Sequence, residues 1–319
     1  MAPFSVGGSL DRFFFFVDKS VYKKRGELMK IWPDCIPCIL KMSLGVARMA
    51  MEGEDQIERF MKEVLRLKYF SWRNRHVTSP EVIRDIWLKL IAVTGEPDPL
   101  REVKDEQNRR ALAIYPKAKE LVLKSKDPLS KAVQLAILAN SIDAMTDIKG
   151  GSPEEVINNW DRFKIAQYGL KGLKERLKKA RHLVYFGDNC GEIVFDRLLI
   201  ELLLEKYSIN VTYVTRTLPV MNDATFQDAL HIGMEKVTYV MENGIPEPLP
   251  GTFLKRVRTE LKRLIERSDL VISKGGGNYD SLTEEESLKG KILFLFLAKC
   301  YPYCHLHQVT LNAPIIYHF

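Results

Sequence analysis

The chain has 319 residues, of which 46% are hydrophobic and 28% charged, with 48 basic and 41 acidic side chains. This apolar content excludes an intrinsically disordered chain, and the length is enough for about two domains. The longest clearly apolar stretch, residues 292–298, has the length of a strand. It is far shorter than the roughly 18 residues that a membrane-spanning helix needs, so we expect no membrane partner.

The charge and the cysteine content indicate the kind of partner and the cellular location to expect. The net charge of +7 would suit an anionic partner. However, the Lys and Arg residues lie mostly among Glu residues in segments with a helical pattern. This distribution favours a solvated surface over a nucleic-acid-binding patch. Five cysteines, an odd number, do not make a disulfide framework, and the Phe-rich run at residues 13–16 has no cleavage site after it. We therefore expect a cytoplasmic protein without a nucleic-acid partner.

The first part of the chain has a helical pattern. Residues 1–28 differ from those that follow, so they form an N-terminal arm of uncertain role or precede the natural initiator, Met29. From residue 36 to about residue 180, apolar residues recur at intervals of three and four, which predicts a helical domain over residues 29–180. Ser79 and Ser152 each precede a proline and are expected to cap helices.

After residue 181 the pattern changes to short apolar runs that are rich in β-branched and aromatic residues. Helical patterns separate most of them, which predicts an α/β domain over residues 181–319 with a mainly parallel sheet covered by helices. Ligands of such sheets bind beyond the carboxyl ends of the strands. The expected strands are residues 183–186, 211–214, 237–241, 270–273 and 292–297. The expected helices are residues 193–206, 224–230 and 252–267.

Polar residues follow the first two expected strands. Asp188 and Asn189 come after the first, and Asp223 follows the second. Each is also a common helix-capping residue type, so a capping role is the alternative. Because neighbouring parallel strands end at the same edge, we favour their convergence on one cation, and oxygen ligands suit Mg²⁺ or Mn²⁺.

The fourth expected strand leads into Lys274, Gly275, Gly276, Gly277 and Asn278. Successive glycines expose backbone N–H groups that can surround a phosphate, and a lysine adds a point charge. A flexible surface loop is the alternative. We expect Lys274 and the cation site on the rim of the domain, with little core packing.

Four further polar residues are candidates for substrate binding. Lys299 adds a cation just past the fifth strand. Arg216 stands at the end of the second strand, where a nucleotide ribose would require an acid, and it favours an anion instead. Asn140 and Asp143 share one helical face beside an apolar run, and spacing alone favours a solvated helix end over a place in the site.

Cys35 and Cys38 form a Cys-x-x-Cys pair, which raises the question of a zinc or redox site. No second pair with zinc-finger spacing follows, and no strand precedes the motif. We favour a packing or structural role, and a metal site remains the alternative if the two ends of the chain meet. Its other ligands would then be Cys300, Cys304, His305 and His307.

These residues together resemble the metal-dependent damage-control phosphatases, a family also linked to acidic-residue methyltransferase activity. The resemblance begins near Met29, and residues 33–38 are similar to the opening of the Cys-x-x-Cys-bearing, largely archaeal subfamily. The matching internal motifs are Asn140-x-x-Asp143, Gly187-Asp188-Asn189-x-Gly191-Glu192, Asn222-Asp223-Ala224-Thr225 and Lys274-Gly275-x-Gly277-Asn278.

The resemblance implies a helical N-terminal part packed on a three-layer α/β/α domain. It implies hydrolysis of phosphate monoesters of small metabolites, such as sugar phosphates or damaged nucleotides, with Mn²⁺, Ni²⁺, Co²⁺ or Mg²⁺ as the cofactor. Asp188, Asn189 and Asp223 would hold the metal, with Glu192 supporting them. Residues 274–278 and Lys299 would surround the phosphate. Asp188 or Asp223 would act as base or nucleophile, and an S-adenosylmethionine-dependent carboxyl methyltransferase is the alternative function.

Overall fold

A computed structural model describes residues 29–70, 76–142, 151–160 and 165–319. The expected arm over residues 1–28 lies outside the described residues, and so does Asp143. The helices of the first part are α1 (Cys35–Ala50), α2 (Glu54–Leu65), α3 (Ser79–Thr94), α4 (Arg101–Leu123), α5 (Pro128–Leu138), α6 (Pro153–Asn158) and α7 (Gln167–Leu177). This confirms the helical pattern.

The second part alternates strands and helices, which confirms the α/β prediction. Its strands are β1 (His182–Phe186), β2 (Asn210–Thr215), β3 (Tyr239–Glu242), β4 (Leu270–Lys274), β5 (Ile292–Leu297) and β6 (Pro314–His318). Its helices are α8 (Glu192–Lys206), α9 (Phe226–His231), α10 (Thr259–Arg267), α11 (Gly276–Leu282) and α12 (Tyr301–His307). The strands form one sheet in the order β3-β2-β1-β4-β5-β6. All neighbouring pairs are parallel except β5 and β6.

Side chains of the central strands alternate between two cores, as the two-residue period of a strand requires. In β1, Leu183 and Tyr185 pack with α4, α5 and α8 on one face of the sheet. Val184 and Phe186 pack with α10 and α11 on the other face. Because both faces are covered by helices, the domain has the three layers that the sequence predicted.

The cores divide the chain at a different place from the predicted boundary at residue 180. Helices α1, α2 and α3 have their own core, in which Phe60, Trp87 and Leu90 are buried. Helices α4, α5 and α7 share the core of the sheet instead. Since α4 and α5 pack against α8 and β5, they form one layer of the α/β domain.

One helix start differs from the expectation by one residue. Thr78, not Ser79, caps α3, in a capping box with Glu81. Ser79 is the first residue of the helix, and its hydroxyl is therefore available to another partner. Ser152 caps α6 as predicted.

The C-terminal elements were not predicted. Residues 300–307 contain α12, and β6 adds an antiparallel edge strand that begins at Pro314, a position where a proline costs no hydrogen bond within the sheet.

Helix α10 starts at Thr259, later than the expected residue 252, because the preceding segment packs over α11, where the Thr252 amide donates to Ser281 Oγ at 2.8 Å. None of the described helices is long and apolar enough to cross a membrane.

Candidate active site

The strand order creates a crevice at the carboxyl edge of the sheet. From β1 the chain continues to β2 and β3 on one side, and it returns to β4 and β5 on the other. The loops after β1 and β4 therefore run in opposite directions, and ligands of such sheets bind between them. Asp188 and Asn189 lie in the loop after β1, and Gly275 follows β4.

Backbone contacts join the loop after β1 to the loop after β2. Asn189 and Asp223 form an isolated antiparallel bridge, and the Cys190 amide donates to the carbonyl of Asn222 at 2.8 Å. The structure thus brings Asp188, Asn189 and Asp223 together, and we call these three residues the cation site. Each is at most 7% exposed, so the site is buried and not on the rim as expected.

Two glycines allow close approach around Asp188. A Cβ on Gly275 would lie 1.7 Å from Oδ2 of Asp188, and Gly275 has a φ of +77°. A Cβ on Gly187 would lie 2.1 Å from the hydroxyl oxygen of Tyr213. Residues 275–277, which we call the glycine loop, thus consist of Gly275, which contacts Asp188, and the first two residues of α11. The alternative of a flexible surface loop is therefore excluded.

Asn278 fixes the glycine loop from within the protein. Its Nδ2 donates to the carbonyls of Gly187 at 3.1 Å and Lys274 at 2.8 Å. Its Oδ1 accepts a hydrogen bond from Thr252 Oγ1 at 2.9 Å. Gly276 and Gly277 line the neighbouring pocket, whereas Asn278 is fully buried.

The guanidinium of Arg216 lies between the two carboxylates of the cation site. Its Nε donates to Asp223 Oδ2 at 2.6 Å, and its Nη2 donates to Asp188 Oδ1 at 3.1 Å. Its Nη1 donates to Asn278 Oδ1 at 2.9 Å. Arg216 is only 3% exposed. The predicted anion-binding residue thus belongs to the site, and within the protein it orients the carboxylates.

Asn140 reaches the site from the turn after α5. Its Nδ2 donates to Asp188 Oδ2 at 3.2 Å and to Glu192 Oε2 at 3.0 Å. The amide of Asn189 donates to the same Glu192 oxygen at 3.0 Å. Asn140 is fully buried, so the solvated helix end favoured by spacing is wrong for this residue.

Lys274 is not the rim residue that the sequence predicted. It is fully buried and forms ion pairs with Glu192 and Asp196, the latter at 2.9 Å. The cause is strand periodicity: Leu270 and Ile272 face α8, and Lys274 continues the same face towards the two acids of that helix. Its ammonium therefore neutralises carboxylates beneath the cation site.

The cation site favours additional positive charge. Burial, together with the nearby carboxylates of Asp223 and Glu192, raises the pKa of Asp188 well above its usual range. Although burial raises it, the charge of Lys274 holds the pKa of Glu192 below its usual range. A cation bound beside these two buried carboxylates would therefore offset negative charge that burial makes costly.

The donor set fits a hard divalent cation. Carboxylate and amide oxygens are the ligands that Mg²⁺ and Mn²⁺ prefer. Asn222 adds a buried Oδ1 that has no hydrogen-bond partner in the described part of the chain. Within the same residues, no group of three or more His, Cys, Asp and Glu side chains could hold a metal. A cation here would therefore depend on two carboxylates together with amide oxygens.

A pocket of about 210 Å³ adjoins the cation site. The cation site, Gly276 and Gly277 line it, together with Lys299, which lies just past β5 at the same edge, as expected. Residues of α1, α3 and α12 and of the segment before α1 also line it, among them Trp32, Ile39, Pro80 and Tyr303. The pocket lining therefore combines charged side chains with apolar and aromatic ones.

Cys35 and Cys38 lie in the first turn of α1 and line the same pocket, as does Cys300. The two ends of the described chain do meet, because the Trp32 ring lies 5.7 Å from that of His305. The described residues nevertheless contain no cluster of three or more metal ligands. Burial raises the pKa of Cys35 to about 11, which keeps this thiol protonated, unlike a reactive cysteine.

The sequence did not single out Asp280, which lines the pocket from α11. Its Oδ1 accepts a hydrogen bond from the Tyr303 hydroxyl at 2.8 Å, and its Oδ2 accepts one from Ser79 Oγ at 3.2 Å. The sequence feature that could have identified Asp280 is its position four residues after Gly276, because residues four apart lie on one face of a helix.

Comparisons with known proteins give consistent matches along most of the chain. A family model described as a damage-control phosphatase ARMT1-like domain matches residues 31–314. The chain is 32% identical over 281 residues to a damage-control phosphatase of Archaeoglobus fulgidus, covering 86% of this chain and 94% of the relative. It is 30% identical over 273 residues to a damage-control phosphatase of Pyrococcus horikoshii, and this match covers 85% of this chain and 92% of the relative.

A solved structure has the same architecture. The crystal structure of a DUF89 family protein from Pyrococcus horikoshii matches with a TM-score of 0.79 and 28% sequence identity. The match covers 91% of this chain and 99% of that protein.

Proposed function

The chain belongs to the ARMT1-like damage-control phosphatase family, and from this premise we propose that it is a metal-dependent phosphatase of small phosphorylated metabolites. Its substrates are phosphate monoesters, such as sugar phosphates or damaged nucleotides. The observation that carries the proposal is the meeting of Asp188, Asn189 and Asp223 beside a pocket at the crevice of the sheet.

In this proposal the cation site holds one divalent ion, Mn²⁺, Ni²⁺, Co²⁺ or Mg²⁺. Bound there, the ion would withdraw charge from a phosphoryl oxygen and make a water more acidic. Asn140 and Glu192 hold the Asn189 amide in place through the shared Glu192 oxygen. Arg216 keeps the two carboxylates at fixed positions.

The substrate phosphate is placed between the cation site and the glycine loop. Lys299 lines this part of the pocket and supplies a positive charge for the phosphoryl oxygens. Lys274 does not contact the phosphate, because its ammonium is paired with Glu192 and Asp196. It acts indirectly, by neutralising these carboxylates beneath the cation site. Asp188 or Asp223 accepts the proton of the attacking water, or attacks phosphorus directly.

The end of β2 favours phosphate chemistry over a nucleoside cofactor. A nucleotide ribose is commonly held by an acid at this strand end, where this chain has Arg216. The guanidinium faces carboxylates of the cation site and not a ribose. We also propose a cytoplasmic location, where reduced cysteines persist, because none of the five cysteines forms a disulfide.

The test is a metal titration of purified protein. After treatment with a chelator, hydrolysis of a panel of sugar phosphates and nucleotides is measured while Mg²⁺, Mn²⁺, Co²⁺ or Ni²⁺ is added. We expect no activity in the stripped protein and recovery with at least one ion.

Asp223→Asn should lower metal affinity and rate together, by a factor of about 100 or more, because a neutral amide replaces one of two charged ligands. Asp55→Asn, an exposed carboxylate far from the crevice, is the matched control. Full activity in the stripped protein, or a wild-type metal response of Asp223→Asn, would show that the cation site is wrongly assigned.

A further inference from the structure

One carboxylate in the pocket has no part in the cation site. Asp280 lies one helical turn after Gly276 in α11, and both line the pocket. A Cβ on Gly276 would lie 2.6 Å from the hydroxyl oxygen of Tyr303, so this hydroxyl lies against the glycine loop. The same hydroxyl donates to Asp280. A continuous wall thus joins the phosphate end of the pocket to Asp280.

No Lys or Arg of the described residues forms an ion pair with Asp280, whose hydrogen bonds come from Tyr303 and Ser79 alone. The titratable groups that face it from α12, α1 and its own helix are Tyr303, Cys300, Cys35 and Tyr279. Burial raises the pKa of each of these groups, so they are uncharged at neutral pH. The other charged side chains that line the pocket are Lys30, Asp34 and Lys299, together with the two carboxylates of the cation site.

Burial and the neighbouring groups together determine the protonation state of Asp280. Burial raises its pKa to about 7, against the opposing effect of the hydrogen bonds from Tyr303 and Ser79. At neutral pH a substantial fraction of Asp280 therefore carries a proton, and the carboxylic acid is a hydrogen-bond donor to whatever occupies the pocket.

We propose that Asp280 is the general acid of the reaction, which protonates the leaving oxygen of the phosphate ester. This inference rests on the proposed phosphatase function. The oxygen of a water forms a bond to phosphorus, and the proton of that water passes to the carboxylate of Asp188 or Asp223. The ester P–O bond breaks, its electron pair stays on the leaving oxygen, and this oxygen takes the proton of Asp280. Solvent then reprotonates Asp280, and the products are phosphate and the free alcohol.

A general acid is needed only when the leaving group is basic. An alkoxide of a sugar or a nucleoside is a strong base and leaves readily only with a proton, which typically accelerates the step by about 10²–10⁴-fold. The nitrophenolate of p-nitrophenyl phosphate leaves as an anion and gains little from protonation. A comparison of the two esters therefore isolates the role of Asp280.

The experiment measures kcat/KM of the metal-loaded protein for an alkyl phosphate, such as a sugar phosphate, and for p-nitrophenyl phosphate. Asp280→Asn should reduce hydrolysis of the alkyl ester by about 100-fold and leave that of p-nitrophenyl phosphate nearly unchanged. Asp280→Glu should recover part of the alkyl activity, because it restores an acid. An equal effect of Asp280→Asn on both esters, including no effect on either, would overturn the inference while the phosphatase function stands.

The pH profile provides an independent readout. For the wild type and the alkyl ester, kcat/KM should fall as the pH rises above about 7, since the acid loses its proton. Ser79→Ala removes a donor that stabilises the carboxylate, so the pKa of Asp280 rises and the fall moves to higher pH. If Asp280→Asn does not fold, an unshifted profile of Ser79→Ala overturns the inference. A wild type that hydrolyses neither ester with any metal would refute the phosphatase function and this inference together.

Discussion

Replacement of Lys274 tests the buried charge network beneath the cation site. The ammonium of Lys274 is fully buried between Glu192 and Asp196, and Asp196 also accepts a hydrogen bond from the Tyr185 hydroxyl at 2.7 Å. Methionine has a similar length and fills the same space, so Lys274→Met removes the charge without creating a large cavity. It leaves two buried carboxylates without a counter-charge.

The expected loss of stability is large. Removal of one partner of a buried ion pair typically costs about 3–5 kcal/mol, because the remaining charge stays buried and uncompensated. For a protein of this size, 1 kcal/mol corresponds to roughly 2–4 °C in the melting temperature, so we expect a decrease of about 6–20 °C. Activity falls as well, since Glu192, which accepts a hydrogen bond from Asn189, loses its counter-charge.

The assay is thermal and denaturant unfolding of Lys274→Met beside Lys178→Met. Lys178 forms a 2.8 Å ion pair with Glu175 on the surface, where the two side chains are 62% and 54% exposed. Loss of such a pair should change stability very little. If Lys274→Met and Lys178→Met unfolded at the same temperature as the wild type, Lys274 would not be the counter-charge of the network. The destabilisation should also shrink at low pH, because protonated carboxylates need no counter-charge.

Two further variants, one single and one double, test the glycine loop and the cysteine pair. Gly275→Ala should reduce activity by a factor of about 100 or more and destabilise the fold, because its Cβ would lie 1.7 Å from Asp188 Oδ2 and must displace the carboxylate that we propose as a metal ligand. A fully active Gly275→Ala would show that the loop does not need to press on the carboxylate. Cys35→Ser with Cys38→Ser should retain measurable hydrolysis, because the Cys35 thiol stays protonated and supplies no nucleophile. Complete loss of activity in the folded double variant would make the pair catalytic.

The sequence was sufficient to predict the sheet and the meeting of Asp188, Asn189 and Asp223 at its edge. The central strands are short apolar runs, and the parallel arrangement places their carboxyl ends at one edge. The meeting of Asp188, Asn189 and Asp223 therefore followed from the order of strands and helices. Asn140 could not be placed in this way, because its contacts depend on how α5 packs against the sheet.

Lys274 shows why side-chain surroundings were harder to predict. Its position at the end of a strand indicated a residue on the rim of the domain. However, the two-residue period of the strand places Lys274 on the same face as Leu270 and Ile272, which is the face that α8 covers. Glu192 and Asp196, four residues apart and therefore on one face of α8, were the matching signal. Asp280 depends on three segments that are distant in the chain, and no local pattern reveals such a contact.

The wall of the pocket also determines when the pocket can first form. The hydrogen bond between Ser79 and Asp280 joins residues 201 positions apart, and Tyr303 contributes to the same wall from still later in the chain. On the ribosome, the first three helices can pack together early, since their core is local, whereas the pocket must wait for the C-terminal segment to emerge. Closing so long a loop is entropically costly and slows folding. Incomplete chains that lack α12 therefore have no finished pocket, and only a fully translated molecule gains the capacity to act on its substrate.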